Sequence, residues 1–243
     1  MLTYYNKNNL LCIILILLGL LPAIKSVEAE ELSPGAGGVP VQHVRKFERW
    51  LPDKWYVRLN GGWGTEENFG SITTGGNVQV DRSDPGLIGL TVGKPIVENF
   101  RDWPIDIVWK VQLIRYIERE PIEDFWGGTL HLKVYWKKFP WDKYLRTRLG
   151  FAEGISYVDN LPSMEREHLE NKDRNTSHLL NYLDASIDIN VRDLTGIKKL
   201  ESCWLGFAIS HRSGVFSSVD IFGNVSGGSN FNTLYIEYVF GER

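Results

Sequence analysis

From Lys54 to the end of the chain, apolar and polar residues alternate with a period of two in separate short segments. This period is typical of β-strands that have one apolar face and one polar face. The alternating segments are residues 54–60, 87–92, 105–113, 130–137, 145–152, 183–191, 202–210 and 233–240. An even number of strands, each of roughly the length that a bilayer requires, predicts an all-β fold, an eight-stranded antiparallel transmembrane β-barrel.

Alternation is compatible with two placements of the apolar face. A soluble sandwich buries this face against a second sheet, whereas a membrane barrel turns it towards lipid. The connections 64–86, 117–128, 158–178 and 214–232 are expected to be longer than the others, such as 138–144. Outer-membrane barrels place short turns in the periplasm and long loops outside, so this pattern favours the membrane barrel. A secreted soluble β-barrel with a ligand cavity is the alternative.

The N-terminal segment has the pattern of an export signal. Lys7 precedes an apolar run over residues 10–21, and the following polar stretch ends at Ala29. The run is short for a membrane span, and a small residue closes the segment, so we predict a signal peptide over residues 1–29 that is cleaved after Ala29. Residues 30–52 are then a periplasmic lead-in and residues 53–243 the barrel. The expected location is the bacterial outer membrane.

Composition excludes several classes of function. The net charge of -3 gives no electrostatic reason to expect nucleic acid as a partner. Cys12 lies in the predicted signal, which leaves Cys203 as the one cysteine of the mature chain and excludes an internal disulfide. Histidines and carboxylates do not cluster at metal-ligand spacing, so we expect neither a metal nor a cofactor. An eight-stranded barrel is filled by side chains, which argues against a pore.

Charged residues recur on the polar face of the predicted strands. Buried charges are tolerated when they are paired and hydrogen-bonded, and both signs are present here. We therefore expect a structural network of ion pairs inside the barrel. Its predicted members are Arg58, Lys110, Lys133, Arg146, Arg148, Asp106, Asp184, Asp188 and Glu237.

The end of the seventh strand carries a histidine and a serine two residues apart. Side chains two apart on a strand share a face, so His211 and Ser213 are expected to continue the outward row of Leu205, Phe207 and Ile209. An unpaired polar group is costly in hydrocarbon. At headgroup level, however, the two form a base and a nucleophile beside a lipid ester. The alternative is a histidine at the barrel rim that only hydrogen-bonds headgroups.

Three stretches resemble the lipid A 3-O-deacylase (acyloxyacyl hydrolase-like) family of outer-membrane barrels. They are residues 205–240, which include the His-Arg-Ser-Gly segment, residues 150–157 and residues 179–183, within about the last hundred residues. The family removes an ester-linked acyl chain from lipopolysaccharide, and His-x-Ser is its catalytic pair. The resemblance implies that His211 is the general base, Ser213 the nucleophile, and lipid A in the outer leaflet the substrate.

The chain departs from the family pattern at two positions. Family members carry an asparagine after the serine, where this chain has Gly214, whose backbone N–H remains a candidate oxyanion donor. The family also has a glutamate on the next strand to orient the histidine, and no carboxylate stands at residues 228–232. Asn230 and Asn232 share the outward face of Leu234, so either is a candidate orienter, and Asp220 in the loop is a third. Glu237 is expected to point inward and is rejected.

Glu153 interrupts the outward row of the fifth strand, between Phe151 and Ile155. It either marks the outer interface of the membrane or lies in a local bulge that returns it to the interior.

The sequence thus predicts an esterase that deacylates lipid A through Ser213 and His211. The alternative is a non-catalytic outer-membrane barrel with a structural or lipid-binding role, and the oligomeric state is left open.

Overall fold

A closed antiparallel barrel is formed by the described part of the chain, which in this computed structural model comprises residues 53–65, 85–170, 177–214 and 228–241. Each strand pairs with the next along the chain, and the first pairs with the last. The predicted eight-stranded fold is confirmed. The strands are β1 (Lys54–Thr65), β2 (Gly86–Val97), β3 (Ile105–Ile117), β4 (Phe125–Trp136), β5 (Thr147–Val158), β6 (Leu179–Asn190), β7 (Cys203–Ser213) and β8 (Gly228–Gly241). The predicted signal peptide and lead-in fall outside the described residues and stay predictions.

Most strands extend further than the alternation indicated. The end of β1 contains Gly61, Gly62 and Gly64, which have no side chain and therefore do not show up as apolar or polar in the alternation. Their backbone nevertheless pairs with β8. The opposite error occurs at Leu145 and Val191, which alternate in sequence but lie outside the strands. Backbone pairing, and not hydropathy, therefore sets the ends of the strands.

The connections define two ends of the barrel. The turn end carries residues 98–104, 137–146 and 191–202, and the loop end carries 66–85, 118–124, 159–178 and 214–227. The prediction that the loop-end connections are longer than the turn-end connections is wrong in two places. Residues 118–124 form a short connection at the loop end, whereas 191–202 is longer because it contains a helix and a 3-10 turn at residues 198–200.

Within the described parts of these connections lie two α-helices, α1 (Ser163–Glu170) at the loop end and α2 (Val191–Thr195) at the turn end. No helix within the described ranges has the length and hydropathy needed to cross a membrane.

The outside of the barrel is apolar. Large hydrophobic side chains alternate with buried residues on every strand and remain exposed to the surroundings. Among the most exposed are Leu59, Ile88, Leu113, Leu130, Phe151, Leu234 and Ile236. Aromatic rings border this surface, with Trp126 and Tyr157 at the loop end and Trp103 and Trp141 at the turn end. Such an apolar band with aromatic borders is the exterior of a barrel that faces lipid.

The inside of the barrel is filled by ion pairs around Glu237. Its carboxylate accepts hydrogen bonds from Arg58 and Arg148, at 2.9 Å each, and from the ammonium group of Lys110. The hydroxyl of Tyr135 donates to the same carboxylate at 3.2 Å. All of these groups are buried, and the shared acceptor offsets the desolvation of three cations.

Two further carboxylates complete the interior network. Asp184 accepts a hydrogen bond from Lys133, and Asp188 accepts one from Arg148 at 2.5 Å and another from Tyr235. Glycines make room for these side chains: a Cβ on Gly206 would lie 2.2 Å from the Tyr235 ring. Asp106 is also buried, nearer the turn end, where Lys137 pairs with it at 2.7 Å.

Arg146 was expected in this network and is not part of it. It precedes β5 in the turn 137–146, where its guanidinium donates hydrogen bonds to Asp193 at 2.8 and 2.9 Å and to Asn190 at 2.7 Å. The hydrogen bond from Arg146 holds the pKa of Asp193 below its usual value. The prediction failed because the alternation in sequence continues past the beginning of the strand.

Replacing Glu237 with Gln tests the interior network. The change leaves three buried cations with one carboxylate fewer, so we expect the free energy of unfolding to fall by about 3–5 kcal/mol. Urea unfolding of the folded barrel, followed by tryptophan fluorescence, measures this change. Glu123→Gln, in the exposed connection 118–124, is the control and should unfold like the wild type. If the Glu237→Gln variant has the same free energy of unfolding as the wild type, the network does not stabilise the barrel.

Candidate functional site

The last four residues of β7 divide between the two faces of the barrel wall. Arg212 is buried inside, where its guanidinium donates a hydrogen bond to the carbonyl of His178 at 3.3 Å. Ser210, also inward, lies 3.3 Å from the hydroxyl of Tyr182. His211 and Ser213 are partly exposed and lie on the outer face with Leu205. The two candidate catalytic side chains are thus neighbours on the outer wall at the loop end.

His211 is oriented by Asn230. The two residues are register partners on β7 and β8, and the Nδ1 of His211 lies 2.6 Å from the Oδ1 of Asn230. An amide oxygen only accepts, so Nδ1 carries the proton and donates it. The lone pair is then on Nε2, which is the tautomer that a general base needs. This contact favours Asn230 over Asn232 as the orienter, and Asp220 stays an untested candidate.

Asn232 and Glu237 do not reach His211. Asn232 pairs with Ile209 on β7 and with Trp63 on β1, is fully buried, and has no hydrogen-bond partner for either amide atom. Glu237 lies deep in the interior network, as expected from its place in the alternation. Asp220 lies outside the described residues.

Ser213 has a different neighbour on each side. Its register partner on β6 is Asn181, and its partner on β8 is Gly228. A Cβ on Gly228 would lie 2.0 Å from the carbonyl oxygen of Arg212, so no other residue fits there without a backbone shift. Gly228 itself therefore places no side chain over Ser213. Gly214, the candidate oxyanion donor, follows Ser213 directly.

Asn181 is a residue that sequence reasoning missed. It lies on the outer face of β6 between Leu179 and Leu183, so a polar residue in an apolar row was the available signal. The alternation did not place it beside Ser213, because that requires the register of β6 on β7.

Glu153 lies on the outer wall and is exposed. The pairing of β5 with both neighbours continues through it without a bulge, so the interior alternative is wrong. Leu183 lies between Glu153 and His211 in the cross-strand row. Two strand spacings separate the two backbones, about 10 Å, so Glu153 does not orient the histidine.

A buried cluster inside the loop end holds Arg212 in place. Glu165 of α1 accepts a hydrogen bond from Ser229 at 2.7 Å and lies 3.7 Å from the Nε of Arg212. Burial raises the pKa of Glu165 above its usual value, and the positive charge of Arg212 opposes that rise. Because Arg212 stands between His211 and Ser213, this cluster fixes the strand end that carries both.

Among the residues that the structure describes, no group of three or more histidines, cysteines or carboxylates is placed to hold a metal. The outer wall instead brings together a serine, an imidazole whose Nδ1 donates to an orienting amide, and a second amide. These are the parts of a nucleophilic acyl-transfer site.

No family model and no curated protein matches the chain, but several solved structures are similar to it. The outer membrane enzyme PagL is 9% identical, with 75% of this chain and 98% of that chain covered and a TM-score of 0.43. The N-terminal β-barrel domain of Pseudomonas aeruginosa OprF is 9% identical, with 78% and 99% covered and a TM-score of 0.40. The outer membrane protein OprG of the same organism is 10% identical, with 79% and 98% covered and a TM-score of 0.34. Likeness at this level assigns neither an activity nor a substrate to the chain.

Replacing Glu165 with Ala tests whether α1 holds the strand end. The change removes the acceptor of Ser229 and the carboxylate nearest Arg212, at a cost of roughly 1–3 kcal/mol for the groups left unpaired. We expect faster amide hydrogen exchange at the loop ends of β7 and β8 and unchanged exchange at the turn end. Glu123→Ala, on an exposed loop residue, is the matched control. If amide exchange at the loop ends of β7 and β8 is equally fast in the two variants, α1 does not hold this strand end.

Proposed function

We propose that this chain is an outer-membrane β-barrel that hydrolyses an acyl ester of lipid A in lipopolysaccharide. The observation that carries the proposal is the 2.6 Å contact between His211 and Asn230 on the outer wall, on the same face as Ser213. This contact leaves Nε2 as the basic nitrogen beside a serine that faces the surroundings of the barrel. The resemblance of the His-x-Ser segment to lipid A deacylases supplies the substrate class.

The membrane location rests on the surface of the barrel. Leu59, Leu113 and Leu234 expose more than half of their area, and comparable side chains occupy the outer row of every strand. Water would contact one continuous apolar surface around the whole barrel, which soluble monomeric proteins rarely present. Lipid accommodates that surface, and the closed sheet leaves no edge strand unpaired in the bilayer. The outer membrane is the compartment that combines such barrels with lipopolysaccharide.

The chemistry follows from the positions of the side chains. Ser213 Oγ attacks the ester carbonyl while His211 Nε2 takes its proton, and the electron pair of the C=O bond moves to the oxygen. The backbone N–H of Gly214 donates to that oxyanion. When the intermediate collapses, the alkoxide on the sugar leaves and takes the proton from His211. Water then attacks the acyl-serine by the same steps, releasing the fatty acid and restoring Ser213.

Asn230 limits the rate of this reaction. An amide fixes the tautomer and the orientation of His211, but it carries no charge and does not stabilise the imidazolium that forms during attack. The arrangement predicts a slower hydrolase than one with a carboxylate in this position.

The second candidate function is a non-catalytic barrel that binds or contacts lipid. The neutral orienter and the glycine after Ser213, where the deacylase family has asparagine, favour it. This alternative predicts that lipid A is unchanged by the protein and that nothing depends on Ser213.

Mass spectrometry of lipid A from cells that produce each variant in the outer membrane distinguishes the two functions. With the wild type we expect a species lighter by one hydroxyacyl group. With Ser213→Ala or His211→Ala this species should decrease at least about 100-fold, because one loses the nucleophile and the other the general base. Ser210→Ala, an inward serine on the same strand, is the matched control and should behave like the wild type.

Two results contradict the deacylase proposal. One is a folded, exported wild type that leaves lipid A unchanged in hosts carrying different acyl groups. The other is a Ser213→Ala variant with the activity of the wild type, which would exclude this serine as the nucleophile.

The role of Asn230 is tested by two substitutions in opposite directions. Asn230→Ala removes the acceptor of Nδ1–H, so kcat should fall about 10- to 100-fold with a smaller change in KM. Asn230→Asp supplies a charged acceptor that stabilises the imidazolium, so kcat should equal or exceed that of the wild type. Steady-state hydrolysis of a chromogenic acyl ester by the refolded barrel measures both. If Asn230→Ala keeps full activity, another group orients His211.

A further inference from the structure

Asn181 lies beside Ser213 and makes no side-chain hydrogen bond to the described residues. The two residues are direct register partners across β6 and β7, and both side chains lie on the outer wall. Opposed side chains in this arrangement have Cβ atoms about 5 Å apart. Asn181 is 8% exposed, and its amide forms no hydrogen bond within the described part of the chain.

The surroundings of Asn181 on the outer wall are largely apolar. Besides Ser213, its neighbours on the outer wall are Leu179, Leu183 and Ile155, whose side chains offer neither donors nor acceptors. Asn190, at the other end of the same strand, shows the usual arrangement: its amide donates to Glu201 at 2.8 Å and accepts from Arg146 at 2.7 Å. The amides of Asn181 and Asn232 both lack such a partner, and of the two it is Asn181 that lies beside Ser213.

We propose that the Nδ2 of Asn181 is an oxyanion donor for the ester hydrolysis at Ser213. This inference rests on the proposed function. The side-chain donor that the deacylase family places directly after the serine is missing here, and Asn181 supplies one from the neighbouring strand. Together with the backbone N–H of Gly214 it gives the developing oxyanion two donors.

The surroundings of Ser213 fit this assignment. His211 lies two residues away along β7, whereas Asn181 lies across the sheet on β6, so base and donor approach the serine from directions at right angles. Gly228, on the remaining side, has no side chain. An ester that enters above Gly228 would therefore have its carbonyl oxygen directed towards Asn181 and its leaving oxygen near His211.

The amide also matches the charge that develops. In the ester, the carbonyl oxygen is a weak acceptor, and it becomes a full anion when Ser213 adds. A donor fixed in a surrounding of low polarity stabilises the anion far more than the ester. Asn181 therefore affects kcat and leaves KM nearly unchanged, which distinguishes it from a residue that only packs against the acyl chain.

The test uses the refolded full chain in detergent, with p-nitrophenyl hexanoate as substrate and a fluorophosphonate probe that labels an activated serine. Asn181→Asp keeps the shape and replaces the Nδ2 donor with an acceptor, and Asn181→Leu continues the apolar row and favours folding. We expect kcat to fall about 100- to 1,000-fold in both variants, with KM within threefold of the wild type and labelling of Ser213 slowed in parallel. Asn181→Gln retains an amide donor, so its kcat should lie between that of the wild type and those of Asn181→Asp and Asn181→Leu. Leu179→Ala, on the same row, controls for loss of packing and should keep kcat within about threefold.

The possible results separate this inference from the proposed function. If the wild type hydrolyses the ester in a Ser213-dependent manner and folded Asn181→Leu or Asn181→Asp keeps its kcat, the role of Asn181 is overturned and the hydrolase stands. If KM rises while kcat holds, Asn181 is a packing residue and the inference fails. If the folded wild type neither hydrolyses the ester nor accepts the probe, the hydrolase and the oxyanion donor are both overturned.

Discussion

The hydrogen-bonded closure of β1 on β8 is the constraint on which the rest of the structure depends. Lys54 pairs with Gly241 at the turn end, and the ladder continues without interruption to Thr65 and Asn230 at the loop end. In a bilayer every backbone N–H and C=O needs a partner within the protein, and a closed sheet provides one for each strand. Closure also fixes the register of β8, and that register places Asn230, and not Asn232, opposite His211.

The closed wall encloses an interior that contains both buried charges and buried apolar side chains. Glu237, Asp184 and Asp188 pair there with Arg58, Lys110, Lys133 and Arg148, and glycines make room for the tyrosine rings between them. These ion pairs fill the middle of the barrel. An apolar cluster fills the loop end of the interior, formed by Leu87, Ile114, Tyr116, Phe125, Val158 and Phe231. Function is therefore left to the rim, where the wall meets the headgroup region and polar side chains are tolerated on the outside.

Much of the fold could be predicted because period-two alternation survives in a single sequence. It gave eight strands, the outward direction of His211 and Ser213, and the interior position of Glu237. It failed at Arg146, where alternation runs on into a turn, and at the glycine-rich end of β1, where pairing continues without a hydropathy signal. Asn230 and Asn232 share a face, so only the register of β7 on β8 separates them. Asn181 was missed because its significance comes from a residue more than thirty positions away, across a different pair of strands.

The alternation at the end of β7 has a consequence for how such a protein can change over generations. Ser210 and Arg212 lie in the interior, whereas His211 and Ser213 lie on the outer wall. Neighbouring residues of β7 are therefore under different constraints: the inward ones keep the barrel folded and the outward ones contact the surroundings. Substitutions on the outer wall alter chemistry without disturbing the ion pairs that keep the barrel folded. A lineage can therefore gain, weaken or discard an activity on this scaffold while the architecture persists, and sequence drift on one face carries little information about the other.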